Sequence, residues 1–200
     1  MNYAKGVAAL ADHRSQIATI RAQMRKVQAE MQPQEVEDYV FQTPAGEVRL
    51  SELFGGKDDL FIVHNMGTSC AYCTLWADGY SGIYKHLADR AAFVVSSPDA
   101  PKVQSAFAAK RGWTFPMVSH KGTTFAADMG YIGVKGGFMP GLSVFQKRGG
   151  HVVRVSDTQL GPGDDFCALW HIFDMLPAGP DGWQPKFDYP QHKAGIAKTG

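Results

Sequence analysis

Residues 60–73 read Leu-Phe-Ile-Val-His-Asn-Met-Gly-Thr-Ser-Cys-Ala-Tyr-Cys, an apolar run followed by a Cys-x-x-Cys pair. The run is continuous and bounded by turn residues, which predicts a strand covered on both faces. Residues 72–87 then place apolar side chains at helical spacing. A dithiol between a buried strand and a helix is the arrangement that redox chemistry uses. The stretch therefore predicts an α/β fold with Cys70 and Cys73 at a helix N-terminus.

The two cysteines are expected to play different parts. Unpaired amides and the positive end of the helix dipole favour the thiolate of Cys70 over its thiol, so Cys70 is the candidate nucleophile. Cys73 lies one helical turn further along the same face, within reach of the first sulfur. It is the candidate resolving cysteine, which displaces whatever Cys70 has captured.

The elements that follow the pair extend the α/β pattern. Residues 91–96 predict a second buried strand and residues 98–111 a helix, which implies a parallel strand pair joined by a right-handed crossover. Residues 142–145 and 152–155 bracket a Lys-Arg-Gly-Gly turn, which indicates a β-hairpin. The intervening residues 115–137 are rich in loop formers, with a short helical piece near residue 125.

The chain ends with a predicted helix and an irregular tail. The helix begins at a capping aspartate, Asp164 or Asp165, and stops at Pro177. We accordingly divide the chain into an N-terminal helix over residues 1–34, a central domain over residues 35–178 and a tail over residues 179–200. The tail is expected to lie along the domain as far as about Pro190.

A long amphipathic helix is predicted for residues 5–31. Leu10, Ile17, Met24 and Met31 recur every seven residues, and Pro33 ends the pattern. The stripe can dock on the chain's own domain. It can instead form the contact of a homodimer, because narrow heptad spacing is what a seam between two helices uses.

Composition excludes several classes of partner. The 20 basic and 19 acidic residues are interspersed and give a net charge of +1, so neither nucleic acid nor an anionic membrane is an expected partner. The longest strongly apolar run is far too short to cross a bilayer, and no export signal is visible. We therefore expect a cytoplasmic protein, in which three cysteines do not form a structural disulfide framework.

The order of elements resembles the thioredoxin superfamily. The strand, the Cys-x-x-Cys pair, the alternating helices and strands, and Met139-Pro140 before the hairpin follow that fold's sequence of parts. The resemblance implies a thioredoxin-like fold, a central mixed sheet flanked by helices, here with a long N-terminal helix extension. It also implies that Pro140 is cis and packs beside the cysteines, where it presents backbone groups to the substrate. Met139, next to Pro140, and Tyr72 and Trp76, near the cysteine pair, are further candidates for contact with substrate. For Trp76, a core position is an equally good role.

Three shorter runs are similar to a narrower group. Trp76-Ala77-Asp78-Gly79, Gly-Trp-Thr-Phe-Pro at residues 112–116 and Pro-Gly-Leu-Ser-Val-Phe at residues 140–145 resemble a bacterial family of predicted dithiol-disulfide oxidoreductases, domain of unknown function 899. That family is related to the alkyl hydroperoxide reductase/thiol-specific antioxidant group. The similarity spans residues 39–176 and implies disulfide exchange with a protein or small-molecule thiol partner, with no cofactor and no metal.

Two positions depart from the thioredoxin pattern. The dipeptide between the cysteines is Ala71-Tyr72 instead of Gly-Pro, so the redox potential and the direction of exchange do not transfer from that family. The buried acid that thioredoxins place six residues before the first cysteine is replaced by His64. His64 is therefore a candidate general base for the resolving thiol, with a packed histidine as the alternative.

Three rival functions remain open. A peroxiredoxin-type peroxidase would use Pro-x-x-x-Thr-x-x-Cys, whereas Thr68 stands two residues before Cys70. A structural metal site could use Cys70 and Cys73 together with Cys167 and His171, which are one helical turn apart. The third is a thioredoxin-like module without catalysis that binds a partner through the N-terminal helix.

Overall fold

The computed structural model describes residues 1–190 and consists of one eight-stranded mixed sheet with helices packed on both faces. The helices are α1 (Tyr3–Glu30), α2 (Ala71–Arg90), α3 (Pro101–Arg111), α4 (Phe125–Asp128) and α5 (Ala168–Phe173), with a 3₁₀ turn at Leu50–Glu52. The strands are β1 (Gln34–Glu35), β2 (Val40–Thr43), β3 (Gly46–Arg49), β4 (Asp59–His64), β5 (Ala92–Ser97), β6 (Met117–Ser119), β7 (Gly141–Arg148) and β8 (His151–Gln159). No helix within residues 1–190 is long and apolar enough to cross a membrane.

Strand β4 lies at the centre of the sheet, whose order is β1-β8-β7-β4-β5-β6-β2-β3. It pairs in parallel with β5 and antiparallel with β7, so that His64 lies opposite both Ser96 and Gly141. The parallel pair and the β7–β8 hairpin confirm the crossover and the hairpin predicted from the sequence. The fold is thioredoxin-like, with a long N-terminal helix.

Two hydrophobic cores cover the two faces of the sheet. Leu60 and Ile62 of β4 belong to the first core, which also includes Phe125 of α4 and Tyr131. The alternate residues Phe61 and Val63 face the second core, against α2 and α5. This alternation is the period of a strand, and it explains why residues 60–63 of β4 are all apolar. It also assigns each residue of β4 to one side of the protein.

Helix α2 is continuous from Ala71 to Arg90. It runs without a break across Gly79 and Gly82. Both glycines lie within the helix with open space around their Cα atoms, and the buried face that includes Trp76 and Tyr80 holds the helix on the sheet.

Strand β6 was not predicted from the sequence, and the last helix is shorter than predicted. Met117–Ser119 pairs with β5 in a stretch expected to be a loop, because three residues are too few to show a periodic pattern. Helix α5 begins only at Ala168, since the Asp164 carboxylate accepts the backbone N–H groups of Phe166 and Cys167 at 2.8 and 3.1 Å and closes a turn first.

The described tail, residues 179–190, has no helix or strand and is tied to the domain. The guanidinium of Arg111 donates to the carbonyl of Phe187 at 2.6 Å, and the Phe187 ring contacts Phe107 with centroids 6.4 Å apart. The expectation for residues 191–200 lies outside the described residues.

Helix α1 makes little contact with the rest of the described chain. None of its residues is buried, and Leu10, Ile17 and Met24 remain 47 to 54% exposed. An exposed ion pair between Arg21 and Asp165, with N and O 2.6 Å apart, links the helix to the region before α5. Ile17, Ile20 and Met24 border an open groove beside Asp165 and His171, but none of the stripe is buried there.

Candidate active site

Cys70 caps the N-terminus of α2, as predicted. Its backbone is extended and its Sγ accepts the backbone N–H of Cys73 at 3.0 Å. Its carbonyl accepts both the N–H and the hydroxyl of Thr74, at 3.0 and 2.9 Å. The Cys70 N–H donates to the Gly67 carbonyl at 3.1 Å. These contacts hold the sulfur at the open end of the helix while the residue stays only half-buried.

Cys73 is buried directly beneath Cys70. Its side chain is 3% exposed and its Sγ accepts the backbone N–H of Met66 at 3.4 Å. Its thiol lies within hydrogen-bonding reach of the Cys70 sulfur, and both cysteines are free. The structure therefore brings the two sulfurs together, one accessible and one covered.

The two thiols differ in acidity. The hydrogen bond from the Cys73 thiol, assisted by the N–H groups of Cys73 and Tyr72, lowers the pKa of Cys70 to about 7, although partial burial opposes this shift. The same hydrogen bond to Cys70, together with burial, raises the pKa of Cys73 far above its ordinary value. At neutral pH about half of Cys70 is therefore thiolate, while Cys73 keeps its proton.

The loop between β4 and α2, residues 65–69, is held by side chains that were not predicted from the sequence. The side-chain amide Oδ1 of Asn65 accepts the N–H of Gly67 at 2.8 Å, and the Asp99 carboxylate accepts the N–H of Thr68 at 2.7 Å. Gly67 has φ of +103°, and a Cβ there would lie 2.9 Å from Asp99 Oδ2. Asn65-x-Gly67 is a local turn signal, but Asp99 comes from after β5 and sequence spacing does not reveal it.

His64 does not face the cysteines. It alternates with Val63 along β4 and lies on the opposite face, where its ring stacks on Tyr131 and Phe125 with centroids 3.8 and 5.2 Å away. Its Nε2 is 2.9 Å from Ser143 Oγ, and burial holds its pKa well below the ordinary range. The geometry supports the alternative of a packed histidine, because the position six residues before Cys70 is on the wrong side of the sheet for a general base.

Met139 and Pro140 lie at the same sheet edge as the cysteines, but Pro140 is not cis. No peptide bond within residues 1–190 is cis. The Met139 N–H donates to the Tyr131 carbonyl and the Leu160 N–H to the Pro140 carbonyl, at 2.9 and 3.0 Å, so the chain enters β7 already extended. The trans form is the default for an X-Pro bond and suits this extended entry.

Tyr72 and Trp76 are placed differently from each other. Tyr72, between the two cysteines, is half-buried and lies beside Trp170 of α5 with ring centroids 6.3 Å apart. Trp76 is 3% exposed and belongs to the second core. Tyr72 is therefore available to a substrate at Cys70, whereas Trp76 takes the core role that the sequence left open.

The four residues of the candidate metal site are not brought together. Cys167 is buried in the second core, while His171 is exposed and faces the carboxylates of Asp165 and Asp174. No group of three or more metal-ligating side chains occurs within residues 1–190. The spacing of Cys167 and His171 on one helix was therefore misleading.

Comparisons with known proteins place the chain in a recognised fold. A family model described as "Bacterial protein of unknown function (DUF899)" matches residues 7–193. No match is found among curated proteins. Peroxidoxin BcpB from Mycobacterium tuberculosis is similar in structure, with a TM-score of 0.54 and 23% identity over 64% of this chain and 84% of that chain.

Two further solved structures share the architecture. Reduced Prx3 from Vibrio vulnificus has a TM-score of 0.54 and 12% identity, over 67% of this chain and 89% of that chain. A peroxiredoxin-like protein from Aquifex aeolicus has a TM-score of 0.51 and 15% identity, over 64% of this chain and 75% of that chain. At these identities the likeness establishes the thioredoxin-like fold.

Proposed function

The chain belongs to the bacterial family DUF899, whose function is unknown, and we propose that it is a thiol-disulfide oxidoreductase that works through Cys70 and Cys73. The observation that carries the proposal is the asymmetric sulfur pair at the start of α2. A half-exposed Cys70 with a pKa of about 7 lies above a buried Cys73 that keeps its proton. The pair thus provides a nucleophile and a resolving thiol in the order that exchange requires.

In the reductive direction the reaction has two steps. The Cys70 thiolate attacks one sulfur of a substrate disulfide, a mixed disulfide forms, and the second substrate sulfur leaves as a thiolate. Cys73 then loses its proton and attacks Cys70 Sγ, which releases the first substrate sulfur as a thiolate. The enzyme gains one disulfide and the substrate two thiols, so two electrons are transferred. The reverse sequence oxidises a dithiol.

The proton of Cys73 must leave before the second step. His64 is on the other face of the sheet, so the departing substrate thiolate is the acceptor we propose. The backbone N–H of Met66, 3.4 Å from Cys73 Sγ, stabilises the negative charge that develops there. Once Cys70 is in a mixed disulfide, it no longer accepts the hydrogen bond that raises the pKa of Cys73. Capture of the substrate by Cys70 therefore makes it easier for Cys73 to lose its proton and attack.

The substrate we propose is a protein or small-molecule disulfide, with Tyr72, Met139 and Pro140 as candidate contact residues. The reducing cytoplasm, where the sequence predicts the protein to act, would keep both thiols available between turnovers.

The proposal is tested with a peptide that contains one intramolecular disulfide. Cys73→Ser is expected to accumulate a mixed disulfide on Cys70 that mass spectrometry detects, while Cys70→Ser forms no adduct. Cys167→Ser is the matched control and should exchange like the native protein, because Cys167 is buried away from the pair. A native protein that leaves the peptide oxidised, with no adduct on Cys73→Ser, would contradict the proposal.

A thiol peroxidase is the second candidate. The solved structures that share the fold are named as peroxidoxin and peroxiredoxins, and a thiolate with a pKa near 7 can also attack a peroxide. Cys70 would then become a sulfenic acid, with release of hydroxide or alkoxide, and Cys73 would condense with it and expel water. Consumption of hydrogen peroxide faster than peptide reduction would favour this candidate. A native protein that does neither would favour a module without catalysis.

A further inference from the structure

A cavity of about 210 Å³ opens beside Tyr72, the residue that precedes Cys73. Three aromatic side chains line it: Tyr72, Trp170 of α5 and Trp183 of the tail. The Tyr72 and Trp170 rings are inclined by 27° with centroids 6.3 Å apart, and Trp183 meets Trp170 at 71° and 6.0 Å. The cavity therefore has aromatic walls on more than one side and adjoins the reactive cysteine pair.

The only charge that lines the cavity is negative. Asp174 supplies the only charged side chain among its lining residues, and the remainder of the lining is proline and glycine. The Asp174 side chain is 65% exposed, and its nearest ionic neighbour is His171, with Oδ2 and Nδ1 3.8 Å apart. Aromatic faces with a carboxylate attract a cation, and such cages are a known way of binding ammonium groups.

We propose that this cavity is a specificity subsite that binds a lysine or arginine side chain of a polypeptide substrate. The subsite rests on the proposed function, because it acts on the substrate whose disulfide Cys70 attacks. Tyr72 is shared between the cavity and the cysteine motif, so a substrate cysteine bonded to Cys70 brings its sequence neighbours over the cavity. At about 3.3 Å per extended residue, a cation one to three residues from the substrate cysteine reaches it.

The subsite governs binding and leaves the chemistry unchanged. The cationic side chain contacts the aromatic rings and Asp174 in the ground state and in the transition state alike, so KM changes while kcat stays constant. An effect on KM alone distinguishes the cavity residues from Cys70 and Cys73, whose replacement is expected to abolish turnover.

The test compares three peptides with the same intramolecular disulfide and lysine, norleucine or glutamate beside the reactive cysteine. The native protein is expected to prefer the lysine peptide over the glutamate peptide by about tenfold in kcat/KM, through KM. Asp174→Asn should reduce this preference and Asp174→Lys should invert it, with the norleucine peptide little affected. Asp181→Asn is the control, since Asp181 is an exposed carboxylate two residues from Trp183 that does not line the cavity.

A binding experiment tests the subsite separately from the proposed function. The lysine peptide with both cysteines replaced by serine should quench tryptophan emission of the native protein, and Asp174→Lys should abolish the quenching. Equal kcat/KM for all three peptides, or no binding of the serine peptide, overturns the subsite while exchange by Cys70 stands. Binding of the serine peptide without any reduction of the disulfide peptides overturns the proposed function and leaves the subsite.

An independent observation concerns the apolar stripe of α1. Its large side chains are between 47 and 59% exposed and no residue of the helix is buried. The stripe comprises Leu10, Ile17, Ile20, Met24, Val27 and Met31. Ile17, Ile20 and Met24 border an open groove beside Asp165 and His171, which leaves them about half exposed. A helix gains most of its stability from packing of its apolar face, so this 28-residue helix has apolar surface left for a further partner.

We infer that the partner is α1 of a second copy of this chain, in parallel register. Spacing at seven residues forms a continuous seam only against a helix with the same spacing, which α1 itself provides. In a parallel pair Arg21 flanks the seam opposite Gln16 of the second copy, and Arg14 lies opposite Ala9. In an antiparallel pair the two arginines of one copy approach those of the other, which is unfavourable.

The oligomeric state of the full chain tests this seam. Light scattering should give twice the chain mass in the micromolar range, and Ile17→Lys/Met24→Lys should give the chain mass with disulfide exchange retained. Ala18→Lys adds a lysine to the same helix off the seam and should leave the dimer intact. A native chain that is monomeric throughout this range, or a seam variant that remains dimeric, overturns the inference.

Discussion

The ring of His64 stacks on the ring of Tyr131, with centroids 3.8 Å apart and planes inclined by 18°. The stack lies on the face of the sheet opposite α2, and Ser143 Oγ is 2.9 Å from the histidine Nε2. His64 therefore contributes to the packing of the first core. The cysteine pair sets its own acidity through the hydrogen bonds between Cys70 and Cys73.

Replacement of His64 should reduce stability and leave the chemistry intact. His64→Ala removes a ring that is 2% exposed, and we expect the free energy of unfolding to fall by about 3 kcal/mol because a cavity forms between Tyr131 and Phe125. Denaturant unfolding measures this loss. The rate at which Cys73 resolves a mixed disulfide, measured where the variant is folded, should equal that of the native protein. A slower resolution step with native stability would restore the general-base role.

Stability should fall as the pH drops from about 6.5 to about 4. Burial lowers the pKa of His120 to about 4 and that of His64 well below its usual value, whereas in the unfolded chain both titrate near about 6.5. Within this window the unfolded state binds more protons, so protonation favours unfolding. His120 alone accounts for a loss on the order of 3 kcal/mol by pH 4.

Urea unfolding at several pH values measures this slope. His120→Asn keeps a polar atom near Ser96 Oγ, which is 2.7 Å from His120 Nδ1, and removes the titrating ring. The variant should therefore show a shallower slope. His86→Asn, at an exposed position of α2, controls for the loss of a histidine as such. An equal slope in native protein and His120→Asn would rule out His120 as its source.

Gly141 is required by close packing. A Cβ at this position would overlap the Tyr131 ring, so Gly141→Ala must displace the tyrosine that stacks on His64. We expect a loss of at least about 2 kcal/mol in the free energy of unfolding. Gly79→Ala is the matched control, because Gly79 lies in α2 with no atom within 4 Å of a built Cβ. It should stabilise the protein by about 0.5 to 1 kcal/mol. Similar effects of the two alanines would contradict this packing.

The acidity of Cys70 should depend on the hydrogen-bond donor at position 73. Cys73→Ala removes the thiol that contributes most to the lowered pKa of Cys70, so that pKa should rise by about one unit. Cys73→Ser keeps a donor at the same place and should preserve most of the shift. The pH dependence of Cys70 alkylation by iodoacetamide measures both variants. Identical profiles for alanine and serine would assign the shift to the helix N-terminus alone.

The sequence was sufficient for the parts of the fold whose patterns are local. The continuous apolar run of residues 60–64 predicted a strand covered on both faces, and the position of Cys70 before a helical pattern predicted its place at a helix N-terminus, both as the structure has them. Asp99 could not be predicted as a support for the active-site loop, because its contact with the Thr68 N–H joins residues 31 positions apart. A contact between residues so far apart in the chain produces no periodic pattern in the sequence.

The roles predicted for His64 and for the Cys167–His171 pair were wrong because tertiary packing decides which way a side chain faces. His64 occupies the sequence position of an acid in thioredoxins, but the side of a strand on which a residue lies changes with a shift of one residue. Cys167 and His171 have the spacing of metal ligands on a helix, yet Cys167 faces the core and His171 faces solvent. Spacing indicates which residues share an element, and the packing of that element decides what they contact.

The central claim is that Cys70 and Cys73 interconvert between a dithiol and a disulfide. The most direct measurement equilibrates the full chain with glutathione buffers of graded ratio, quenches with acid, and maps the linked cysteines by mass spectrometry. We predict a single Cys70–Cys73 disulfide whose fraction follows the buffer ratio reversibly, with Cys167 reduced throughout. A pair that stays reduced in every buffer, or a disulfide that links Cys167 instead, would contradict the account.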